Sequence, residues 1–208
     1  AIDNTALLAE LHAIVGEIGV LQGADMAAYE EGARYGNGHA RLVVRPATVE
    51  QVQAVVRLCA AQGLSLLPQG ANTGMVGAST PDMSGTQIVL SLSRLRATCE
   101  VDVANRSVAV DAGVTLQELN DKLEPHGLWF PIDLGANPSI GGMIATNTGG
   151  TRLIRYGDVR TNLMALQVVL MDPPGEVVEL GRALRKNNTG VDWKQMFVGA
   201  SGAGAIVT

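Results

Sequence analysis

The chain is poor in aromatic residues, has only two cysteines, and contains neither a stretch of 18 apolar residues nor a run of lysines and arginines. A net charge of −5 without a cationic footprint argues against nucleic acid or an anionic membrane surface as the main partner. With no long apolar run and with acids inside the apolar spacing of the first residues, neither a membrane span nor a secretory leader is visible. Cys59 and Cys99 form no C-x-x-C and no cluster with histidine. They read as reduced thiols in a cytosol-like compartment, so a cytoplasmic location is expected. With so few rings, packing must lean on Val, Leu, Ile and Ala. The 208 residues suffice for one core, arranged as one domain or two small lobes.

Standard motifs are missing as well. Gly70, Gly74 and Gly77 do not have the spacing of G-x-G-x-x-G, and there is no G-x-x-x-x-G-K-[ST] and no H-E-x-x-H. His12, His39 and His126 lie far apart. The stretch GASGAG at 199–204 approaches the nucleophile elbow G-x-S-x-G, but Ala203 stands where its last glycine belongs, which disfavours a serine hydrolase acting through Ser201.

What the chain does have is glycine, 25 residues of it, set among regular periodicities. Apolar positions 7, 8, 11, 14, 15 and 18 predict a one-sided helix with Asp3 to Thr5 available as caps, followed by a polar stretch expected to be irregular. LVVRP, a helix capped by the Thr48 and Gln51 pair and ended by Gly63, and LSLLP predict a βαβ unit with parallel strands. Farther on, residues 99–110 alternate as a hairpin around Ala104 and Asn105. Thr115 with Glu118 forms a second capping box, opening a helix that stops near Gly127, and Pro173, Pro174 and Gly175 turn a second hairpin. A parallel part followed by an antiparallel part is expected, divided near residue 97.

Three glycine-rich, uncharged stretches join these elements: PQGANTGMVG, DLGANPSIGGMIATNTGG and GASGAGAIVT. Any one can be mere punctuation. Together they point to several backbones converging on one large ligand, with main-chain amides closing around an anion. Ser139 can cap a short helix from 140 to about 147, whose N-terminus would offer free N–H groups to oxygen. The final stretch runs into an apolar β-type segment, which suggests a piece of a longer protein.

In their order, RPATVEQV, PQGANTGMVG, WFPIDLGANPSIGGMIATNTGG, RYG and LRKNNTGVDWKQMFVGASGAGAIVT resemble the FAD-binding domain of the vanillyl-alcohol oxidase and p-cresol methylhydroxylase (PCMH) type. Within that type the likeness is to FAD-linked D-2-hydroxyacid dehydrogenases acting on D-lactate, glycolate or D-2-hydroxyglutarate. The resemblance runs from about residue 41 onward. It implies an α+β, two-lobed domain: a helix and irregular segment over 1–40, a small parallel βαβ lobe over 41–97, and a larger, mainly antiparallel lobe over 98–208.

It also implies cofactor contacts. Gln69, Gly70, Ala71, Asn72, Thr73, Gly74 and Met75 match the pyrophosphate loop, with the Asn72 and Thr73 side chains helping its amides. Pro131, Asp133, Leu134 and Gly135 match the segment that runs along the cofactor. Ser139, Gly142, Asn147, Thr148 and Gly149 match the bed for phosphates and flavin, Tyr156 and Gly157 the YG position, and Gly202, Ile206 and Val207 the strand near the adenine or ribitol end. The pyrophosphate loop holds no histidine or cysteine for a covalent link, so FAD is expected to be non-covalent. Relatives commonly read G-S-E-G-T-L-G-I where this chain has Ala200, Ser201, Ala203, Gly204 and Ala205.

The implied reaction is oxidation of a 2-hydroxy acid to a 2-oxo acid, with catalytic residues in a cap beyond residue 208, an unidentified electron acceptor and a homodimer in the full-length enzyme. The alternatives are a flavin-carrying electron-transfer module and a domain that folds without flavin. Arg152, Arg155 and Arg160 are either company for the substrate carboxylate or solvated surface charges.

Overall fold

The computed structural model describes residues 4–208. Helix α1 (Asn4–Val15) buries Leu7, Leu11 and Val15 along one face, as a 3.6-residue repeat requires. Gly16 ends it at φ 74, a conformation glycine enters at little cost. Ile18 therefore leaves the expected stripe and stands 71% exposed. The expected cap at Asp3 lies outside the described residues.

After β1 (Val20–Leu21), the stretch read as irregular holds a 3-10 turn at Gly23–Met26 and the short α2 (Ala27–Glu30). Its polar side chains make the bonds that order it. Glu30 Oε1 accepts from the Ala40 N–H at 2.8 Å.

The next unit comprises β2 (Leu42–Val44), α3 (Val49–Ala61), β3 (Leu66–Gln69) and β4 (Ile88–Ser91). Thr48 Oγ1 accepts from the Gln51 N–H at 3.3 Å, while the Gln51 side chain accepts from the Ala47 N–H at 2.7 Å and not from that of Thr48. The expected capping box is thus half a box, with its return bond one residue upstream. Val52, Val55, Val56 and Cys59 form the buried face of α3. Burial pushes the Cys59 thiol up to about 12, which leaves it protonated and inert.

The four strands form one sheet in the order β1-β2-β4-β3, with β2 and β3 each parallel to β4. The parallel sense expected of β2 and β3 holds, but they are not neighbours, because β4 inserts between them. Ile88, Val89 and Leu90 of this central strand are wholly buried.

The antiparallel part opens with the hairpin β5 (Cys99–Asp102) and β6 (Ser107–Val110). Thr115 and Glu118 make a complete capping box on α4 (Leu116–Leu123), which runs on through a 3-10 turn to Gly127 at φ 66. Thr115→Ala removes the side-chain half of that box and should lower stability by about 1 kcal/mol, read as a lower melting temperature with unchanged helix content.

Three short helices follow, α5 (Ile140–Thr146), α6 (Leu153–Tyr156) and α7 (Val159–Asn162). The last sheet has the order β8-β7-β9, with β7 (Ala165–Leu170) pairing antiparallel to both β8 (Val177–Gly181) and β9 (Ala205–Val207). At the β7–β8 turn the Gly175 carbonyl accepts from Gln53 Nε2 at 2.8 Å and Arg57 Nη2 at 2.9 Å, both on α3. One apolar cluster runs from Leu7 on α1 through α3, α4 and α5 to Val207 on β9. It positions the end of β3 against the start of α5.

Candidate functional site

The loop after β3 is held at its base by side chains turned inward. Gln69 is 2% exposed, and its Nε2 donates to the carbonyls of Tyr29 at 2.9 Å and Ser79 at 2.7 Å, clamping the two ends of the loop together. Asn72, at φ 54, donates to the Glu31 carbonyl at 2.7 Å and accepts from Ser79 Oγ at 2.9 Å. The Asn72 side chain, expected to help hold a ligand, is therefore engaged with Gln69 in shaping the loop. Its backbone is open: among the described residues, no N–H from Ala71 to Ala78 has an acceptor. A loop without charged side chains but with successive free amides attracts an anion through the backbone alone.

The three glycine-rich stretches meet. A methyl group added at Gly70 would lie 2.2 Å from Ser139 Oγ, at the start of α5. Gly150 closes the second stretch on itself, since a methyl there would lie 2.5 Å from the Asp133 nitrogen. In the third stretch, the Gly199 N–H donates to the Ile144 carbonyl at 3.0 Å and the Ser201 N–H to the Ala145 carbonyl at 2.7 Å. Gly202 stands 3.5 Å, measured from an added methyl, from the Pro68 ring on β3. Of the non-glycine residues at positive φ, Asn72, Asn147 and Ser201 fall one in each stretch, so the backbone strain gathers where the stretches meet.

One expectation fails in detail. Ser139 caps α5 as read, but the amides at that helix start are occupied. The N–H of Ile140 donates to the Val114 carbonyl at 2.8 Å, that of Gly141 to the Ala112 carbonyl at 2.9 Å, and that of Gly142 to Ser139 Oγ at 3.3 Å. The segment between β6 and α4 packs directly on the helix start and supplies those carbonyls. Among the described residues, the amides with no acceptor include those of Leu134, Gly135, Gly149, Gly150 and Gly202, beside the helix.

The other expected residues divide by exposure. Ile206 and Val207 are core side chains of β9, which leaves Gly202 as the accessible member of that group. Ala71, Gly74, Met75 and Thr73 remain on the open loop, and Pro131, Thr148 and Gly157 are half-buried. Thr148 Oγ1 lies 2.9 Å from Thr146 Oγ1. Tyr156 meets Trp129 edge to face, with ring centroids 5.1 Å apart.

Arg160 is no free cation. Its Nη1 donates to Gln195 Oε1 at 2.8 Å and its Nη2 to the Val198 carbonyl at 2.6 Å, while its own N–H donates to Asn147 Oδ1 at 3.0 Å. Asn147 in turn donates to Asp158, the cap of α7. Hydrogen bonds from the Thr161 backbone and hydroxyl hold the Asp158 carboxyl below its ordinary range, so it is charged at neutral pH. This network fastens the second stretch to the third. No spacing in the sequence announces it, because its members meet only across the fold.

Comparison with known proteins agrees with this geometry. Residues 40–181 match the family described as the FAD binding domain. The chain is 39% identical over 173 residues to the mitochondrial D-2-hydroxyglutarate dehydrogenase of Bos taurus, covering 82% of this chain and 31% of the relative. It is 38% identical over 173 residues to a D-2-hydroxyglutarate–pyruvate transhydrogenase of Saccharomyces cerevisiae, covering 82% of this chain and 34% of that one. The chain thus spans about a third of the length of these relatives. Among solved structures, alkyldihydroxyacetonephosphate synthase superposes with a TM-score of 0.82 at 20% identity, covering 99% of this chain and 39% of the synthase. The fold is that of the PCMH type, as the resemblance implied.

The expected cytoplasmic location is corrected by the relatives, since the bovine and zebrafish D-2-hydroxyglutarate dehydrogenases are mitochondrial by name. Two unpaired cysteines do not distinguish one compartment from another. Among the described residues, no helix is long and apolar enough to cross a membrane.

Proposed function

The chain belongs to the FAD binding domain family, and from that premise we propose that it is the FAD-holding part of a flavoenzyme that oxidises a D-2-hydroxy acid to the 2-oxo acid. The observation that carries this reading is the meeting of three side-chain-poor bends, with unengaged amides along 71–78 and beside α5.

The residues fit the cofactor. A diphosphate needs N–H donors at close range; Gly74 leaves open space beside the loop, while Gly70 lets the loop close on Ser139. Ala71 to Met75 would hold the diphosphate through the main chain, with the Thr73 hydroxyl as a further donor. Leu134, Gly135, Gly149 and Gly150 would border the flavin, and Gly202 the far end. Ser139 and Gly142 act one step back, by fixing α5 against the loop. FAD, when bound, supplies the hydride acceptor. This chain's residues orient it and shield one side from water. We put the division between the lobes near residue 97, supported by the change from the parallel sheet ending at Ser91 to the hairpin beginning at Cys99.

The test is a flavin spectrum of the full-length protein after addition of FAD, before and after desalting. Flavin bands that survive desalting, and that bleach on anaerobic addition of a D-2-hydroxy acid, are the expected result. A colourless protein after desalting would overturn the proposal, and bands that survive but never bleach would overturn its hydroxy-acid half.

A further inference from the structure

We infer that Arg155 is a specificity-determining residue, whose guanidinium receives a substrate carboxylate remote from the reacting carbon. The inference rests on the flavoenzyme reading above and concerns the segment that leaves the proposed flavin bed at Gly150.

In a chain with few rings, two of them stand together here, half-exposed, and each carries an arginine. Trp129 and Tyr156 meet edge to face at 84°. The Arg152 guanidinium carbon lies 4.8 Å from the Trp129 ring centroid, and that of Arg155 5.1 Å from the Tyr156 centroid. A guanidinium held near a ring face by cation–π attraction can keep N–H donors available for a carboxylate.

The two arginines differ in what they already hold. Arg152 Nε lies 3.3 Å from Asp133 Oδ2, and Thr151 Oγ1 donates to the same oxygen at 3.0 Å, so that carboxylate is shared between neighbours. Among the described residues, the Arg155 side chain has no carboxylate and no hydrogen-bond acceptor, only the Tyr156 ring. Arg160, the third candidate, is bonded to Gln195 and Val198. Arg155 is thus the cation of the group with its donors open, and it stands on an exposed, shallow surface with Thr151, Arg152, Ile154 and Tyr156.

Position within α6 favours the remote carboxylate. Arg152 stands two residues after Gly150, at the edge of the proposed flavin bed, and Arg155 lies three residues on, a rise of roughly 4.5 Å along a helix. A carboxylate attached to the reacting carbon belongs beside the bed. One at the other end of a five-carbon diacid reaches about one helical turn away.

The test uses the FAD-loaded full-length enzyme with Arg155→Gln and Arg155→Lys, flavin content being measured for each. For Arg155→Gln, kcat/KM for D-2-hydroxyglutarate should fall about tenfold or more, mostly through KM, as loss of a charge-assisted bond requires. The value for D-lactate, which has no second carboxylate, should stay within about twofold, and Lys should restore part of the loss. Calorimetric titration with glutarate, which has two carboxylates and no hydroxyl to oxidise, should show the same weakening. Equal effects on both substrates, no effect on either, or unaltered glutarate binding would overturn the inference. So would a parent enzyme that turns over D-lactate and ignores D-2-hydroxyglutarate, which would leave the flavoenzyme reading standing. A parent that retains no flavin would instead remove the reading beneath it.

Discussion

Replacing Gly70 with alanine should strip the protein of most of its flavin and destabilise it, although the change adds a single methyl group. That methyl would sit 2.2 Å from Ser139 Oγ. Ser139 cannot simply yield, because it is 3% exposed and its hydroxyl accepts the Gly142 N–H at the start of α5. Rotating the hydroxyl away forfeits the cap, at about 1 kcal/mol, and moving the backbone parts the loop from α5. Overpacking of this kind costs about 1–3 kcal/mol, which in a chain of this size lowers the melting temperature by roughly 2–4 °C per kcal/mol. Because the displaced groups are the ones proposed to hold the diphosphate, FAD affinity should fall by more than the stability loss alone implies.

Two further variants isolate the cause. Gly74→Ala, on the same loop but with nothing within 4 Å of the added methyl, should keep its melting temperature. Gly70→Ala combined with Ser139→Gly should recover part of the loss, because the double change removes the oxygen in conflict and glycine is a tolerable cap. Equal melting temperatures for Gly70→Ala and Gly74→Ala would show that the contact between loop and helix does not matter.

Local features of the fold were legible in the sequence, and features fixed by distant partners were not. The Thr115–Glu118 box and the Ser139 cap depend on residues three apart, so spacing sufficed. The hairpins were equally local. The insertion of β4 between β2 and β3 was hidden, because strand order depends on which edges meet and hydrophobic pattern does not record that.

The same division runs through the site. Glycine-rich stretches revealed where the backbone is bare, and the structure brings those stretches together. Asn72 was expected to turn its side chain to the ligand, yet that side chain donates to the Glu31 carbonyl, and Gln69 is bound to the Tyr29 carbonyl, both in a segment with no readable period. The amides at the start of α5 looked free because the carbonyls that occupy them, on Ala112 and Val114, come from another element. A capping residue can be read from a sequence, but whether the capped end faces ligand or protein cannot.

Arg160 illustrates the limit from the other side, and its loss should release the third glycine-rich stretch. The guanidinium reaches Gln195 and Val198 with separate nitrogens, while its backbone is tied through Asn147 to the end of α5. Arg160→Met keeps much of the side-chain volume but leaves the Val198 carbonyl and Gln195 without that donor, at roughly 1–3 kcal/mol for a partly buried acceptor. Segment 195–199 then loses its tie to α7, and with it the geometry at Gly199 and Ser201 that sets Gly202 beside Pro68. Arg160→Lys should rescue little, since one ammonium group cannot replace a planar fork serving two separated acceptors. Amide hydrogen exchange reads the effect directly: the Ser201 N–H, bonded to the Ala145 carbonyl at 2.7 Å, should exchange markedly faster in both variants. The Val168 and Val169 amides in β7 should keep their protection, because the core around that strand does not depend on Arg160. Faster flavin release should accompany the change, as a bend that must be held in place to meet the cofactor becomes free to leave it. Exchange at Ser201 that stays at the parent rate would mean that β9 and α5 alone hold the stretch, and that the arginine is redundant.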